Sequence, residues 1–119
     1  MNLKKVWSQF WDKYMKSAAD KIDTGTFPTD ETKRYWIIFS GLVQGVGFRY
    51  ETWMIAQKLE LTGFVKNLPN GTVYAEVQGA QNKILYLIKC LKSIQRIYID
   101  DVKMEEMELK QETDFEIAN

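Results

Sequence analysis

The chain has 119 residues, 45% of them hydrophobic and 27% charged, with six Phe, six Tyr and four Trp, which suits one folded domain rather than a disordered tail. Sixteen basic side chains balance sixteen acidic ones, so there is no overall basic field to attract nucleic acid. The absence of His excludes Ser-His-Asp triads, phosphohistidine intermediates and His-ligated zinc, and no apolar run approaches the roughly 18 residues of a membrane span.

Along the chain, Leu3, Val6, Trp7, Phe10, Trp11, Tyr14, Met15 and Ala18 recur at the spacing of one helical face, which predicts an amphipathic helix within 3–19. Residues 1–19 carry four Lys against one Asp. Lys4, Lys5, Ser8 and Gln9 interrupt the apolar residues, so a secretory signal is not expected and the expected location is cytoplasmic. Residues 20–33 are polar, with Thr24-Gly25-Thr26 and Pro28, and read as a linker. Residues 1–33 are thus expected to form an extension ahead of a folded domain over 34–119. The aromatic stripe needs a surface to cover. Its own domain or a second copy, a partner protein's groove and a membrane surface all suit it.

From Arg34 the pattern tightens. Tyr35-Trp36-Ile37-Ile38-Phe39 is a predicted central strand, followed by a loop with Gly41, Gly45 and Gly47. Residues 50–59 have helical length and no Gly or Pro. A second strand is predicted over 64–68 and a turn at Pro69-Asn70-Gly71. Val73, Ala75 and Val77 alternate with Thr72, Tyr74 and Glu76, giving a third strand. Ile84, Leu87, Ile88 and Leu91 mark a second helix, and residues 96–107 and 115–117 supply the closing strands. The order β-α-β-β-α-β predicts an α+β, ferredoxin-like fold: a split, largely antiparallel sheet with both helices on one face. That fold hosts many unrelated activities, so function must be read from a site.

Gly41-Leu42-Val43-Gln44-Gly45-Val46-Gly47-Phe48-Arg49 joins the first strand to the first helix. Gly45 and Gly47 allow the backbone to turn with its N–H groups inward, as an anion nest requires. The following helix adds free N–H groups and the positive end of its dipole. Arg49 contributes a guanidinium fork that fits phosphate or carboxylate oxygens. Taken alone, the loop fits a Gly-rich connection with a solvated Arg as well.

A second segment, Gly63-Phe64-Val65-Lys66-Asn67-Leu68-Pro69-Asn70-Gly71-Thr72-Val73 with Gly79 beyond it, runs through the predicted hairpin. Together the two segments resemble the acylphosphatase family. Val43-Gln44-Gly45-Val46-Gly47-Phe48-Arg49 is similar to its first signature, and Gly63 to Asn67 with Gly71, Val73 and Gly79 to its second. Ala56, Leu59, Leu61 and Phe115-Glu116-Ile117 also fall where the family has such residues, and the resemblance covers 34–119. It implies hydrolysis of the mixed anhydride of acyl phosphates to carboxylate and inorganic phosphate, with no metal, cofactor or covalent intermediate. By the same resemblance, Arg49 and the loop N–H groups at Gln44, Gly45, Val46, Gly47 and Phe48 bind phosphate, and Asn67 orients the attacking water. An acyl phosphate carries a good leaving group, so positioning and charge stabilisation suffice without a strong base.

Other readings stand beside these roles. Asn67 by itself would be a turn-stabilising residue. The Gln44 side chain either contacts substrate or ties the loop together, and the Phe48 ring is expected in the core. A phosphate-sensing or partner-binding module without catalysis is the alternative function. RNA binding has only the fold in its favour.

One spacing invites a different assignment, and two positions depart from the family pattern. Cys90 and Arg96 satisfy the C-x5-R spacing of cysteine phosphatases, but the intervening residues lack Gly and Cys90 sits in a helical periodicity. A single Cys also excludes an intramolecular disulfide. Glu60 stands where the family commonly has Gly, and a left-handed backbone there would cost about 1 kcal/mol. The segment Gln95-Arg96-Ile97 lacks the Gly-Pro turn often found before the family's fourth strand.

Overall fold

The structure, a computed structural model, describes residues 27–119, and the helix expected over 3–19 lies outside them. The elements are β1 (Thr32–Leu42), α1 (Phe48–Lys58), β2 (Thr62–Asn67), β3 (Val73–Ala80), α2 (Gln81–Ser93), β4 (Tyr98–Met107) and β5 (Phe115–Ile117). They form one sheet in the order β4-β1-β3-β2-β5, antiparallel throughout except for the β2–β5 pair. This is the expected ferredoxin-like arrangement, with β1 internal. Among the described residues no helix is long and apolar enough to cross a membrane.

Strand alternation sorts the side chains onto two faces. Tyr35, Ile37 and Phe39 of β1, Val65 of β2 and Val73, Ala75 and Val77 of β3 point to one side. There they form one core with Phe48 and Ala56 of α1 and Ile84, Leu85, Leu87, Ile88 and Leu91 of α2. Both helices therefore cover the same face. The incoming chain reinforces α2. Asp30 Oδ2 accepts the Asn82 backbone N–H at 2.9 Å and the Glu31 carbonyl accepts that of Gln81 at 3.0 Å, so residues distant in sequence cap its first turn.

The opposite face carries charge. The Arg34 side chain is only 1% exposed, and its Nε and Nη2 donate to Glu76 Oε1 at 3.2 and 2.9 Å. Its Nη1 donates to Gln78 Oε1 at 3.3 Å and also to Glu112. Lys110 Nζ donates to Glu76 Oε1 at 3.0 Å and the Tyr74 hydroxyl to Glu76 Oε2 at 2.7 Å. Gln78 exchanges two further bonds with the Lys110 backbone, both 2.9 Å. These contacts fasten residues 108–114, which cross from β4 to β5. Burial pushes the Glu76 carboxyl up, but the bonds from Tyr74, Arg34 and Lys110 outweigh it and leave the group below its ordinary value. Burial and the Glu76 carboxylate push Tyr74 up to about 12.

The α1 C-terminus closes as a Schellman motif. The Leu61 N–H donates to the Ala56 carbonyl at 2.9 Å and that of Glu60 to the Gln57 carbonyl at 3.1 Å. Glu60 takes the left-handed position with φ 58°, the conformation anticipated from its place in the sequence. Replacing Glu60 by Gly is expected to raise stability by about 1 kcal/mol, read as a higher urea midpoint at unchanged m.

Arg34→Met is expected to destabilise by about 3 kcal/mol by taking the guanidinium from Glu76 and Glu112, and the double variant Arg34→Met/Glu76→Leu to recover part of that loss. Glu76 also sets an acid limit. Because its folded value is lowered, its contribution is present above 4.5 and is lost as pH falls through the folded value. The wild-type urea midpoint should therefore drop below pH 4.5, and Glu76→Gln, weaker at neutral pH, should lose less over the same range.

Candidate active site

The loop that leaves β1 is fixed at several points. A register shift between Ser40 and Gly41 interrupts the ladder with β4, which resumes at Gly41 with Ile99 and closes at Leu42 with Tyr98. Val43 is then fully buried, and Phe48, 2% exposed, stacks on Phe39 with ring centroids 4.9 Å apart. Between these anchors Gly45 and Gly47 adopt φ of 74° and 77°, where a side chain would be strained. Gly47 is the N-cap of α1, and no side chain caps that helix end. Its first-turn N–H groups and dipole are therefore left for an anion.

Two side chains clamp the loop from outside. Gln44 Nε2 donates to the Leu68 carbonyl at 2.8 Å and the Thr72 carbonyl at 2.9 Å, tying the loop to the β2–β3 turn. Arg96 Nε donates to the Val46 carbonyl at 2.7 Å, and Arg96 Nη2 pairs with Glu51 Oε1 at 2.7 Å. Glu51 lies in the first turn of α1, so Arg96 offsets a negative charge that would otherwise sit beside the anion nest. The C-x5-R spacing is thus fortuitous: Cys90 lies within α2, burial pushes its thiol up, and Arg96 is engaged elsewhere.

The parallel strand β5 brings in the last component. Asn119 continues the pairing beyond it: its Oδ1 accepts the Asn67 N–H at 3.0 Å and its Nδ2 donates to the Asn67 carbonyl at 2.9 Å. Arg49 Nη1 donates to Asn119 Oδ1 at 3.1 Å and to the Asn119 backbone oxygen. One residue thereby ties the guanidinium of α1 to the end of β2. Asn67 Oδ1 is buried and receives no hydrogen bond from the described residues.

These elements enclose a cavity of about 230 Å³. Val43, Gly45 and Gly47 line it from the loop, Phe48, Arg49 and Tyr50 from α1, Asn67 from β2, and Ile117 and Asn119 from the C-terminal strand and beyond. Of the sequence-predicted residues, Arg49, Asn67, Gly45, Gly47 and Phe48 meet here, whereas Gln44 and Val46 support the loop from behind. Arg96 and Asn119 were not expected at the site. Neither lies in the two segments that resemble the family's signatures, and each reaches across about 50 residues of chain. A larger recess of about 620 Å³ lies along β5, but Glu112, Asp114 and Glu116 around it do not suit an anion. Among the described residues no three His, Cys, Asp or Glu side chains cluster as metal ligands.

A ferredoxin-like sheet that brings a glycine-rich loop, a helix N-terminus without a side-chain cap and an arginine to one cavity defines the class: an α+β domain with its candidate site at the β1–α1 connection. The acylphosphatase family model matches residues 35–117, and the chain belongs to that family of hydrolases. An acylphosphatase of Clostridium beijerinckii is 52% identical over 59 residues, covering 50% of this chain and 66% of that protein. One from Ligilactobacillus salivarius is 37% identical over 88 residues, covering 72% of this chain and 98% of the relative. The crystal structure of acylphosphatase from Bacillus subtilis superposes with a TM-score of 0.69 at 33% identity, covering 75% of this chain and 100% of that one.

The Arg96 clamp is open to a direct check. Arg96→Ala should weaken inorganic phosphate binding roughly fivefold by titration calorimetry, since it frees the loop and leaves Glu51 unpaired beside the nest. Adding Glu51→Gln should restore part of the loss by removing that charge.

Proposed function

We propose that the chain hydrolyses acyl phosphates to a carboxylate and inorganic phosphate, with Arg49 and the loop N–H groups holding the phosphoryl group and Asn67 orienting the water. The observation that carries this reading is the buried, unpaired Asn67 Oδ1 in the same cavity as Arg49 and the glycine nest. A buried acceptor without a donor is costly, and beside a bound phosphoryl group it suits a water hydrogen. Arg49 Nη1 is engaged with Asn119, while Nε and Nη2 donate to no described residue and present a fork to two phosphate oxygens.

In this reading the water oxygen attacks phosphorus opposite the acyl oxygen. The bond from phosphorus to that oxygen breaks, the carboxylate leaves with the electron pair, and the water proton passes to a phosphate oxygen. Charge on the transferring group is met by the guanidinium, the loop N–H groups and the α1 dipole, so no metal is required. The catalytic domain in this reading opens a few residues ahead of the border at 34 expected from the sequence, because β1 begins at Thr32 and Asp30 and Glu31 already cap α2. The names carried by the relatives support the substrate class.

The test is steady-state hydrolysis of benzoyl phosphate with chelator present. Asn67→Ala should lower kcat by about 100-fold while inorganic phosphate still inhibits, and Arg49→Ala should abolish that inhibition. Equal loss of phosphate affinity in both variants would contradict the division of roles. No turnover by folded wild-type protein would favour a phosphate-sensing or partner-binding module.

A further inference from the structure

A groove of about 450 Å³ lined by α1 and α2 shares no residue with the cavity at Arg49. Ile55 and Leu59, at the end of α1, and Tyr86 and Cys90 of α2 supply its apolar part, with Lys58 and Lys83 beside them. Ile55 and Tyr86 pack on the core with one side and remain only half-buried. A groove of this kind between two helices suits the apolar face of a third.

Phe27 is already seated there. Its ring meets that of Tyr86 with centroids 5.3 Å apart, and Lys83 Nζ lies 5.9 Å from its centroid. The residues that follow are fixed to α2 as well. Asn82 Nδ2 donates to the Pro28 carbonyl at 2.7 Å, beside the cap that Asp30 and Glu31 supply. The chain ahead of residue 27 therefore joins the domain at this groove and not elsewhere on its surface.

In sequence, that chain carries the stripe of Leu3, Trp7, Phe10, Trp11, Tyr14 and Ala18. A helix over 3–19 would be about 26 Å long, against about 16 Å and 20 Å for α1 and α2, so the stripe can run the length of either helix. Residues 20–26 reach at most about 25 Å, and a tether that short sets an effective concentration in the millimolar range. A second copy at micromolar concentration competes poorly with it. Lys5, Asp12 and Lys16 fall opposite the stripe, so docking leaves them in water.

We propose that residues 3–18 dock as an amphipathic helix in the groove between α1 and α2 of their own domain, with the aromatic stripe covering Ile55, Tyr86 and Cys90. The docked segment braces α1, the helix that carries Arg49, at the end away from the phosphate site.

The single cysteine makes the test direct, because Cys90 lies in the groove. The rate at which a maleimide labels Cys90 is compared in the whole 119-residue chain, at micromolar concentration, for four forms. These are wild type, Trp7→Gln/Trp11→Gln, Phe10→Gln/Tyr14→Gln and the polar-face control Lys5→Gln/Lys16→Gln. Both stripe variants should label about tenfold faster than wild type, and the control should match wild type. Hydrogen exchange over 55–60 and 83–90 should quicken in the same two variants, while exchange over β1 stays at the wild-type rate and shows the domain intact. Equal labelling in wild type and both stripe variants overturns the docking. Protection that fades on dilution, together with a dimer mass in sedimentation, overturns it in favour of a second copy. Protection gained only with phosphatidylcholine–phosphatidylserine vesicles overturns it in favour of a lipid surface.

Discussion

A buried guanidinium–carboxylate pair on the outer face of the sheet decides where the C-terminal strand lies. β4 and β5 are on opposite edges, four inter-strand steps apart, which is about 19 Å at about 4.8 Å per step. The chain from Met107 to Phe115 reaches at most about 28 Å fully extended, so residues 108–114 cross with little slack. Arg34 and Glu76 stand beneath this crossing, and Glu112 and Lys110 reach down from it to join them. The Coulombic attraction is offset by desolvation, as for any buried ion pair, but each partner's other bonds are also made. What the arrangement secures is placement: β5 lies parallel to β2, in register from Gly63 with Phe115 to Val65 with Ile117, and carries Asn119 to Asn67.

The site is therefore assembled from both ends of the domain. The loop after β1 is held by Gln44 and Arg96, and the end of β2 by Asn119, which also holds Arg49. Each of these contacts is a side chain bonding to backbone or to another side chain across the fold. The glycines that let the loop turn also make it loose, since glycine loses more conformational freedom on ordering than other residues. The clamps are the counterweight. Arg96 has an electrostatic role as well: a carboxylate in the first turn stabilises a helix but repels an incoming anion, and pairing it preserves the first effect while reducing the second.

The framework was legible in the sequence because its signals are local. Period-two alternation over Val73, Ala75 and Val77, the apolar stripe from Ile84 to Leu91 and the Pro-Asn-Gly turn each lie within one element. The glycines at 45 and 47 and the Arg at 49 were legible for the same reason, as was the cost at Glu60, now seen as a left-handed helix end. Arg96 was visible only as half of a misleading spacing, because its partners Val46 and Glu51 are 50 and 45 residues away. Arg34 marked only the start of the folded region, and nothing near it in sequence announces Glu76 or Glu112. Even Gln44, with two roles open, needed the hairpin carbonyls in place before one could be described.

The free edge of β4 has a consequence for how the protein behaves in company. Among the described residues no strand lies beyond β4, and ten residues of such an edge would ordinarily template addition of a second chain, the first step toward fibrillar aggregates. Here that edge bears Asp100, Asp101, Glu105 and Glu106 against a single Lys103, all on one strand. Two molecules meeting edge to edge would align like charges, and antiparallel pairing could not hide them all. A chain with no net charge thus keeps a locally acidic border where colloidal repulsion is most useful, and salt would shorten the reach of that repulsion.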